Sequence, residues 1–226
     1  MKFKTLDRAK WLTALFSQSA IIKLIRKDDI GNKQLAEVYG EARILASLSH
    51  PNIVQFLEMK ETEKYFGIVT EYASGGTLED YISHHRYLKD HRAQRLFAQL
   101  VSGVGYLHKK GVVHRGIDPS HLLLDRNKNI IIIGFSCADT FDPDDELDEM
   151  DEINLSDRDY VLQSGLWRLK ADGTRKGDLM DARCGTTRQR APEMVLSDSL
   201  YTGRKVDVWN CGVVLVGTWI GVLLGD

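Results

Sequence analysis

The sequence predicts an α+β fold in two lobes, because short strand-like segments come first along the chain and longer helix-like segments follow. The predicted strands of the first lobe are the apolar runs at residues 20–25, 53–57 and 66–70. Apolar side chains recur at helical spacing over residues 35–48 and 91–108, which predicts two amphipathic helices. The change from strands to helices places the lobe boundary near residues 71–76.

The rest of the chain is predicted to add little sheet. Short apolar runs at residues 122–124 and 130–133 predict two strands on either side of a polar turn. From residue 204 onward the sequence predicts a further helix.

Composition excludes several classes of protein. The chain has 226 residues, of which 43% are apolar and 27% charged, as is ordinary for a globular protein. A net charge of −2 without a basic stripe predicts no nucleic-acid partner. The longest apolar stretch, residues 211–224, is short of the ~20 residues that span a membrane, so no membrane segment is expected. Cys137, Cys184 and Cys211 lie far apart without a C-x-x-C pair, which predicts reduced thiols and a cytoplasmic protein.

Five short segments follow one another in a specific order. They are AIIK at residues 20–23, EARILASLSH at residues 41–50, HRGIDPSHLLLD at residues 114–125, CGTTRQRAPE at residues 184–193 and YTGRKVDVWNCG at residues 201–212. In order and spacing they resemble the protein kinase superfamily, of the serine/threonine type. The segment EYASGGTLEDYI at residues 71–82 and a long insert after residue 136 are similar to fungal spindle-position checkpoint kinases, in the AMP-activated and calmodulin-dependent branch.

The resemblance implies a bilobal kinase-like fold that departs from the family at both ends. Residues 1–19 are expected to form a divergent segment, because they contain no glycine and so cannot supply the family's glycine-rich phosphate loop. Residues 20–72 are expected to form a partial N-lobe that lacks the first strands. Residues 73–226 are expected to form a partial C-lobe, truncated after the family's helix F and carrying an acidic insert at residues 142–159.

The resemblance also implies that the catalytic and metal-binding groups are missing. The family's catalytic aspartate, which accepts the substrate proton, aligns with Gly116, and its phosphate-contacting lysine aligns with Asp118. The two magnesium ligands align with His121 and Gly134. Because glycine has no side chain and imidazole prefers softer metals, no intact catalytic residue and no metal site are expected.

The residues that hold the family's fold together, unlike its catalytic residues, are present in this sequence. His114, Phe135 and Leu45 align with the side chains that pack between the lobes, and Asp207 aligns with the helix-F aspartate that holds the catalytic loop. These residues predict the fold and carry no information about activity.

The nucleotide site is predicted to be altered. Lys23, Glu41, Glu71 and Ala73 are weak candidates for nucleotide contact, from the family's lysine–glutamate pair and its hinge. The pair Lys23–Glu41 could equally be a structural salt bridge. No cofactor is expected, and ATP with magnesium is expected only if the chain is an active kinase.

Three functions therefore remain open at the level of sequence. The first is a catalytically inactive pseudokinase that acts as a binding or regulatory module in signalling. The second is an ATP-dependent serine/threonine protein kinase, and the third is a truncated, non-functional relic. Enzyme activity stays undecided, and a protein partner is expected at the helix-F surface or at the acidic insert.

Overall fold

The computed structural model describes residues 5–6, 20–85, 88–143, 179–181, 184–185, 189–196 and 200–220. The strands of the first lobe are β1 (Thr5–Leu6), β2 (Ala20–Arg26), β3 (Phe56–Glu61) and β4 (Tyr65–Glu71). They form an antiparallel sheet in the order β1-β2-β4-β3. The predicted strands at 20–25 and 66–70 are confirmed as β2 and β4, and β2 pairs with β4 along its whole length.

One predicted strand is wrong in position. Residues 53–57 were expected to join the first sheet, but β3 begins at Phe56. Ile53 and Val54 are buried, and they approach the second lobe instead, where Val54 N–H donates to the Ile132 carbonyl at 3.0 Å. An apolar run that links two lobes has the same composition as a buried strand, so the sequence did not distinguish them.

The helix predicted at residues 35–48 is α1 (Asn32–Ser47). It starts where the Gly31 N–H donates to the Gln34 side chain at 3.0 Å, which satisfies one of the free amides of the first turn. The face of α1 that packs against the rest of the domain buries Val38, Glu41, Ala42 and Leu45. These residues follow the three- and four-residue steps of an amphipathic helix.

The second lobe is mainly helical. Its helices are α2 (Leu78–His85), α3 (Asp90–Lys109), α4 (Pro192–Leu196) and α5 (Gly203–Ile220). Its two-residue and three-residue strands are β5 (Val112–Val113), β6 (Leu122–Leu124), β7 (Ile130–Ile132), β8 (Asp139–Thr140), β9 (Leu179–Met180) and β10 (Tyr201–Thr202). They pair as β5–β8, β6–β7 and β9–β10.

The predicted α+β class with two lobes is therefore confirmed. The sheet ends at Glu71 and α2 begins at Leu78. A large buried core runs from α1 through β6 and β7 to α3 and α5. Among the residues described, no helix combines the length and apolar character that crossing a membrane requires.

Some predictions concern residues that lie outside this description. They are most of the N-terminal segment 1–19, residues 144–159 of the acidic insert, and the residues after position 220.

Candidate functional site

A cavity of about 290 Å³ lies between the sheet and the second lobe. Lys23, Glu41 and Glu71 line it from the side of the first lobe, and His121 and Gly134 line it from the other side. Five of the predicted site residues therefore meet at one cleft. Ala73 lies instead on a neighbouring open groove, which it shares with Glu71.

Lys23 and Glu41 form a close ion pair across the first lobe. Lys23 Nζ donates to both carboxylate oxygens of Glu41, at 2.9 Å to Oε1 and 2.6 Å to Oε2. The Glu41 side chain is 9% exposed and that of Lys23 is 28% exposed, so the pair is largely shielded from water. Because Lys23 lies on β2 and Glu41 on α1, the contact ties the helix to the sheet.

The loop at residues 114–118 is held from below by Asp207 of α5. The fully buried Asp207 carboxylate accepts the His114 N–H at 2.9 Å and the Arg115 N–H at 2.7 Å. His108 Nε2 lies 2.9 Å from the same carboxylate. Arg115 has a φ of +60°, a left-handed conformation that is unfavourable for a side chain of its size, and these hydrogen bonds hold it there.

His114 packs as a neutral core side chain. Its Nε2–H donates to the Ile133 carbonyl at 2.9 Å, and the Gly116 N–H donates to its Nδ1 at 3.3 Å. Burial lowers the pKa of His114, which keeps the ring uncharged. The ring meets Phe135 edge-on at 4.8 Å between centroids, and Phe135 shares a core cluster with Leu45. The predicted packing residues thus lie in the interior, as does Asp207.

Gly116 leaves an open space at the position of the family's catalytic aspartate. A Cβ built on Gly116 would meet Cys137 Cβ at 3.7 Å, Cys137 Sγ at 3.9 Å and Gly185 Cα at 3.9 Å. These are ordinary van der Waals distances, so the backbone here would accept a side chain. The described catalytic loop nevertheless offers no group at this position that could accept a proton.

His121 occupies the space beside Gly134. A Cβ built on Gly134 would lie 2.7 Å from His121 Cδ2 and 2.8 Å from Cγ, closer than real atoms approach. The ring is fixed there by its Nδ1–H, which donates to the Gly116 carbonyl at 2.7 Å. Gly134 itself has a φ of +84°, a conformation that glycine adopts without strain. The three altered positions 116, 121 and 134 are therefore one contact cluster.

Asp118 acts as a helix cap. Its Oδ1 accepts the backbone N–H of Ser120 at 2.8 Å and that of His121 at 3.1 Å, and the Ser120 hydroxyl also donates to it. The side chain is buried, so its charge is used to start the short 3-10 turn Pro119–His121. A carboxylate fixed in this way cannot replace a lysine that contacts phosphate.

These residues do not fit a magnesium ion. Magnesium requires a near-octahedral set of oxygen ligands, whereas one aligned position is an imidazole and the other is a glycine. Within the described parts of the chain, no group of three or more histidine, cysteine or acidic side chains could hold a metal.

Two cysteines lie against the backbone of Arg115 and Gly116, and the sequence did not predict this. Cys137 follows Phe135, and Cys184 precedes Gly185, 47 positions later in the chain. The Cys184 thiol donates to the Arg115 carbonyl at 3.9 Å, and the Cys137 sulfur would lie 3.9 Å from a Cβ built on Gly116. Gly185 lets its segment of the chain lie close to the Arg115 backbone. Its φ is +78°, and a Cβ at this position would lie only 2.9 Å from the Arg115 carbonyl oxygen.

A two-lobed α+β domain with a lysine–glutamate pair above an interlobe cleft, and a loop anchored by a buried helix aspartate, has the architecture of a protein-kinase-like domain. The comparison with protein families agrees, because residues 13–224 match the model described as "Protein kinase domain". The chain therefore belongs to the protein kinase family.

Two curated relatives come from Saccharomyces cerevisiae. The "Fatty acyl-CoA synthetase and RNA processing-associated kinase 1" is 38% identical over 93% of this chain and 21% of its own length. The "Serine/threonine-protein kinase KIN4" is 38% identical over 91% of this chain and 22% of its own length. The chain thus spans about a fifth of the length of these relatives.

Proposed function

We propose that this chain is a protein-kinase-like domain that does not transfer phosphate and instead serves as a binding or regulatory module in cytoplasmic signalling. The observation that carries the proposal is the cluster of Gly116, His121 and Gly134. A kinase works mainly by positioning its substrates and by neutralising phosphate charge with metal ions and cations. With Gly116, His121 and Gly134 at these positions, the chain lacks the base that positions the attacking hydroxyl and the side chains that hold the metal ions.

The chemistry of the cluster supports this proposal step by step. Gly116 provides no base for the proton of an attacking hydroxyl. The His121 imidazole fills the place of one metal ligand, and its Nδ1–H is already committed to the Gly116 carbonyl. Asp118 stands where the family has a lysine, and its buried carboxylate caps the turn at Pro119–His121, so this position offers no cation to a phosphate. Each change opposes phosphoryl transfer for a different physical reason.

The retained scaffold supports a role in binding. A chain that had lost its fold would not keep a buried aspartate satisfied by two backbone amides and a histidine, as Asp207 is. The surface of α5 offers an apolar face with Val208, Val216 and Trp219 exposed. We infer a protein partner at this face, and the acidic insert is a second candidate surface.

An active serine/threonine kinase is the second candidate function. The intact Lys23–Glu41 pair favours it, since active kinases need this pair to position the nucleotide phosphates. The names of the two yeast relatives favour it as well.

A phosphate-transfer assay separates the two candidates. The purified chain is incubated with radiolabelled ATP, magnesium and a basic acceptor protein, beside the variant Lys23→Met. We expect the same background signal from both proteins, and no magnesium-dependent rise in melting temperature when ATP is added. Transfer by the natural chain that disappears in Lys23→Met would establish the active kinase.

A further inference from the structure

Two side-chain amide oxygens beside α5 are buried and unpaired, and the proposed function does not use them. They are Oδ1 of Asn210 and Oε1 of Gln189, and within the described part of the chain no group donates a hydrogen bond to either atom. Asn210 lies on α5 and is 2% exposed, whereas Gln189 lies in the segment that leads to α4. Because a buried polar atom without a hydrogen bond is destabilising, each of these oxygens calls for a donor.

Other hydrogen bonds fix the orientation of this region. Asn210 Nδ2 donates to the Gln189 backbone carbonyl at 2.6 Å, so turning the amide over would place oxygen against oxygen. Arg190 holds the same segment from the other side, where Nε donates to the Cys184 carbonyl at 3.2 Å and Nη2 to the Gly185 carbonyl at 3.2 Å. The protein therefore cannot satisfy Asn210 Oδ1 by a simple rotation of the amide.

Asn210 and Gln189 line one small cavity. Its volume is about 10 Å³, and it lies below the loop at Arg115 and Gly116. A cavity needs about 10–15 Å³ to hold one water molecule, so this space is at the lower limit for a single water and too small for a larger guest. Arg115 and Arg190 also line the cavity, and guanidinium groups can donate hydrogen bonds but not accept them.

We propose that this cavity binds one water molecule, which donates one hydrogen bond to Asn210 Oδ1 and the other to Gln189 Oε1. Water matches the size of the space, and its two donors match the two acceptors. A metal or ammonium ion would also suit amide oxygens, but it would lie beside the positive charges of Arg115 and Arg190. An anion would face two carbonyl oxygens, whereas neutral water avoids both conflicts.

The water would connect α5 to the segment at residues 184–190. The hydrogen bond from Asn210 to the Gln189 carbonyl is a direct link between the two, and the water adds a second link through their side chains. Because buried waters that satisfy polar groups are costly to remove, this one is part of the packing below the loop at residues 115–117.

A crystal structure of the full chain, at a resolution that shows ordered water, tests this proposal. We expect an isolated density peak about 2.5–3.0 Å from both amide oxygens. A cavity without density, density for an ion, or side-chain rotations that satisfy both oxygens without water would overturn the proposal.

Oxygen-17 relaxation dispersion, which counts long-lived water molecules in solution, is a second test. In Gln189→Met/Asn210→Leu both acceptors are replaced by apolar groups, and we expect one long-lived water fewer than in the natural chain. Gln189→Met alone keeps the contact of Asn210 with the backbone carbonyl at position 189, and it should lose the same water.

The matched control is Gln55→Met, which changes an exposed amide and should leave the number of long-lived waters unchanged. Circular dichroism establishes that each variant is folded. An unchanged number of long-lived waters in folded Gln189→Met or in the folded double variant would contradict the proposal.

Discussion

At the scale of single residues, the altered catalytic loop is one connected arrangement. His121 donates to the carbonyl of Gly116 and covers Gly134, so each of the three residues constrains another. The glycine at position 134 has a definite use, because it provides both the left-handed backbone and the room for the imidazole. The arrangement therefore looks like a repacked site with satisfied hydrogen bonds.

A Cβ at position 134 tests this repacking. We expect Gly134→Ala to lower the free energy of unfolding by about 2 kcal/mol, because the methyl group meets the His121 ring and the backbone becomes strained. In a His121→Ala background the same change should cost about 1 kcal/mol, since only the backbone strain remains. Urea unfolding of the four proteins measures both values.

The matched control for this cycle is Gly116→Ala, whose Cβ would meet only ordinary contacts. We expect it to change stability by less than about 0.5 kcal/mol. An equal cost of Gly134→Ala in both backgrounds would show that the ring does not occupy the space beside Gly134.

At the scale of secondary-structure elements, the position of α1 depends on one polar contact and one apolar face. Lys23–Glu41 joins α1 to β2, while Ile44 and Leu45 are buried in the core cluster. The pair has a structural role whether or not a nucleotide binds. Removing Lys23 alone would leave a carboxylate that is 9% exposed without its cation.

A double-mutant cycle measures that structural role. We expect Lys23→Met to cost about 2 kcal/mol of stability, because Glu41 loses its cation in a shielded position. The double variant Lys23→Met/Glu41→Leu should regain most of the loss, since apolar side chains of similar size replace the pair. Lys27→Met, which removes the more exposed pair with Glu61, is the control and should leave the unfolding midpoint close to that of the natural chain. A double variant as unstable as Lys23→Met would contradict the expected structural role.

The helices of this fold could be predicted from the sequence, whereas contacts between side chains far apart in the chain could not. The helices at residues 35–48 and 91–108 were predicted because apolar periodicity is a local property of the chain. The altered positions 116, 121 and 134 were identified through the resemblance of their motifs to those of the kinase family. The contact of the His121 ring with Gly134 was not predicted, because it depends on a side-chain rotamer. The approach of Cys184 to the Arg115 carbonyl was not predicted either, because the two residues are far apart along the chain.

At the scale of the whole molecule, α5 carries an exposed apolar face. Val208, Trp209, Val216, Trp219 and Ile220 are between 43% and 65% exposed. At the pitch of an α-helix they fall within about 120° of one another, so they form one stripe. Trp219 is oriented by a hydrogen bond from its Nε1–H to Asp90 at 3.0 Å. Contiguous apolar surfaces of this kind mark interaction sites.

We predict that copies of this chain associate with one another through the apolar stripe of α5. We expect light scattering to give a mass that rises with protein concentration, and the variant Val208→Glu/Val216→Lys to remain a monomer. Val101 is equally apolar and 47% exposed on α3, outside the stripe. Val101→Lys should therefore associate like the natural chain. A monomer at every concentration would contradict the prediction.

The packing of His121 over Gly134 also has a consequence for evolution. An aspartate introduced at position 134 meets both the imidazole and the left-handed backbone as long as His121 is present, whereas after His121 is replaced it meets the backbone strain alone. A lineage that carries this chain thus regains a metal ligand at a lower cost in stability if His121 is replaced before Gly134. The first step alone brings no activity, so selection for phosphorylation has nothing to favour until the second step arrives. His121 therefore makes the return of an aspartate at position 134 more costly.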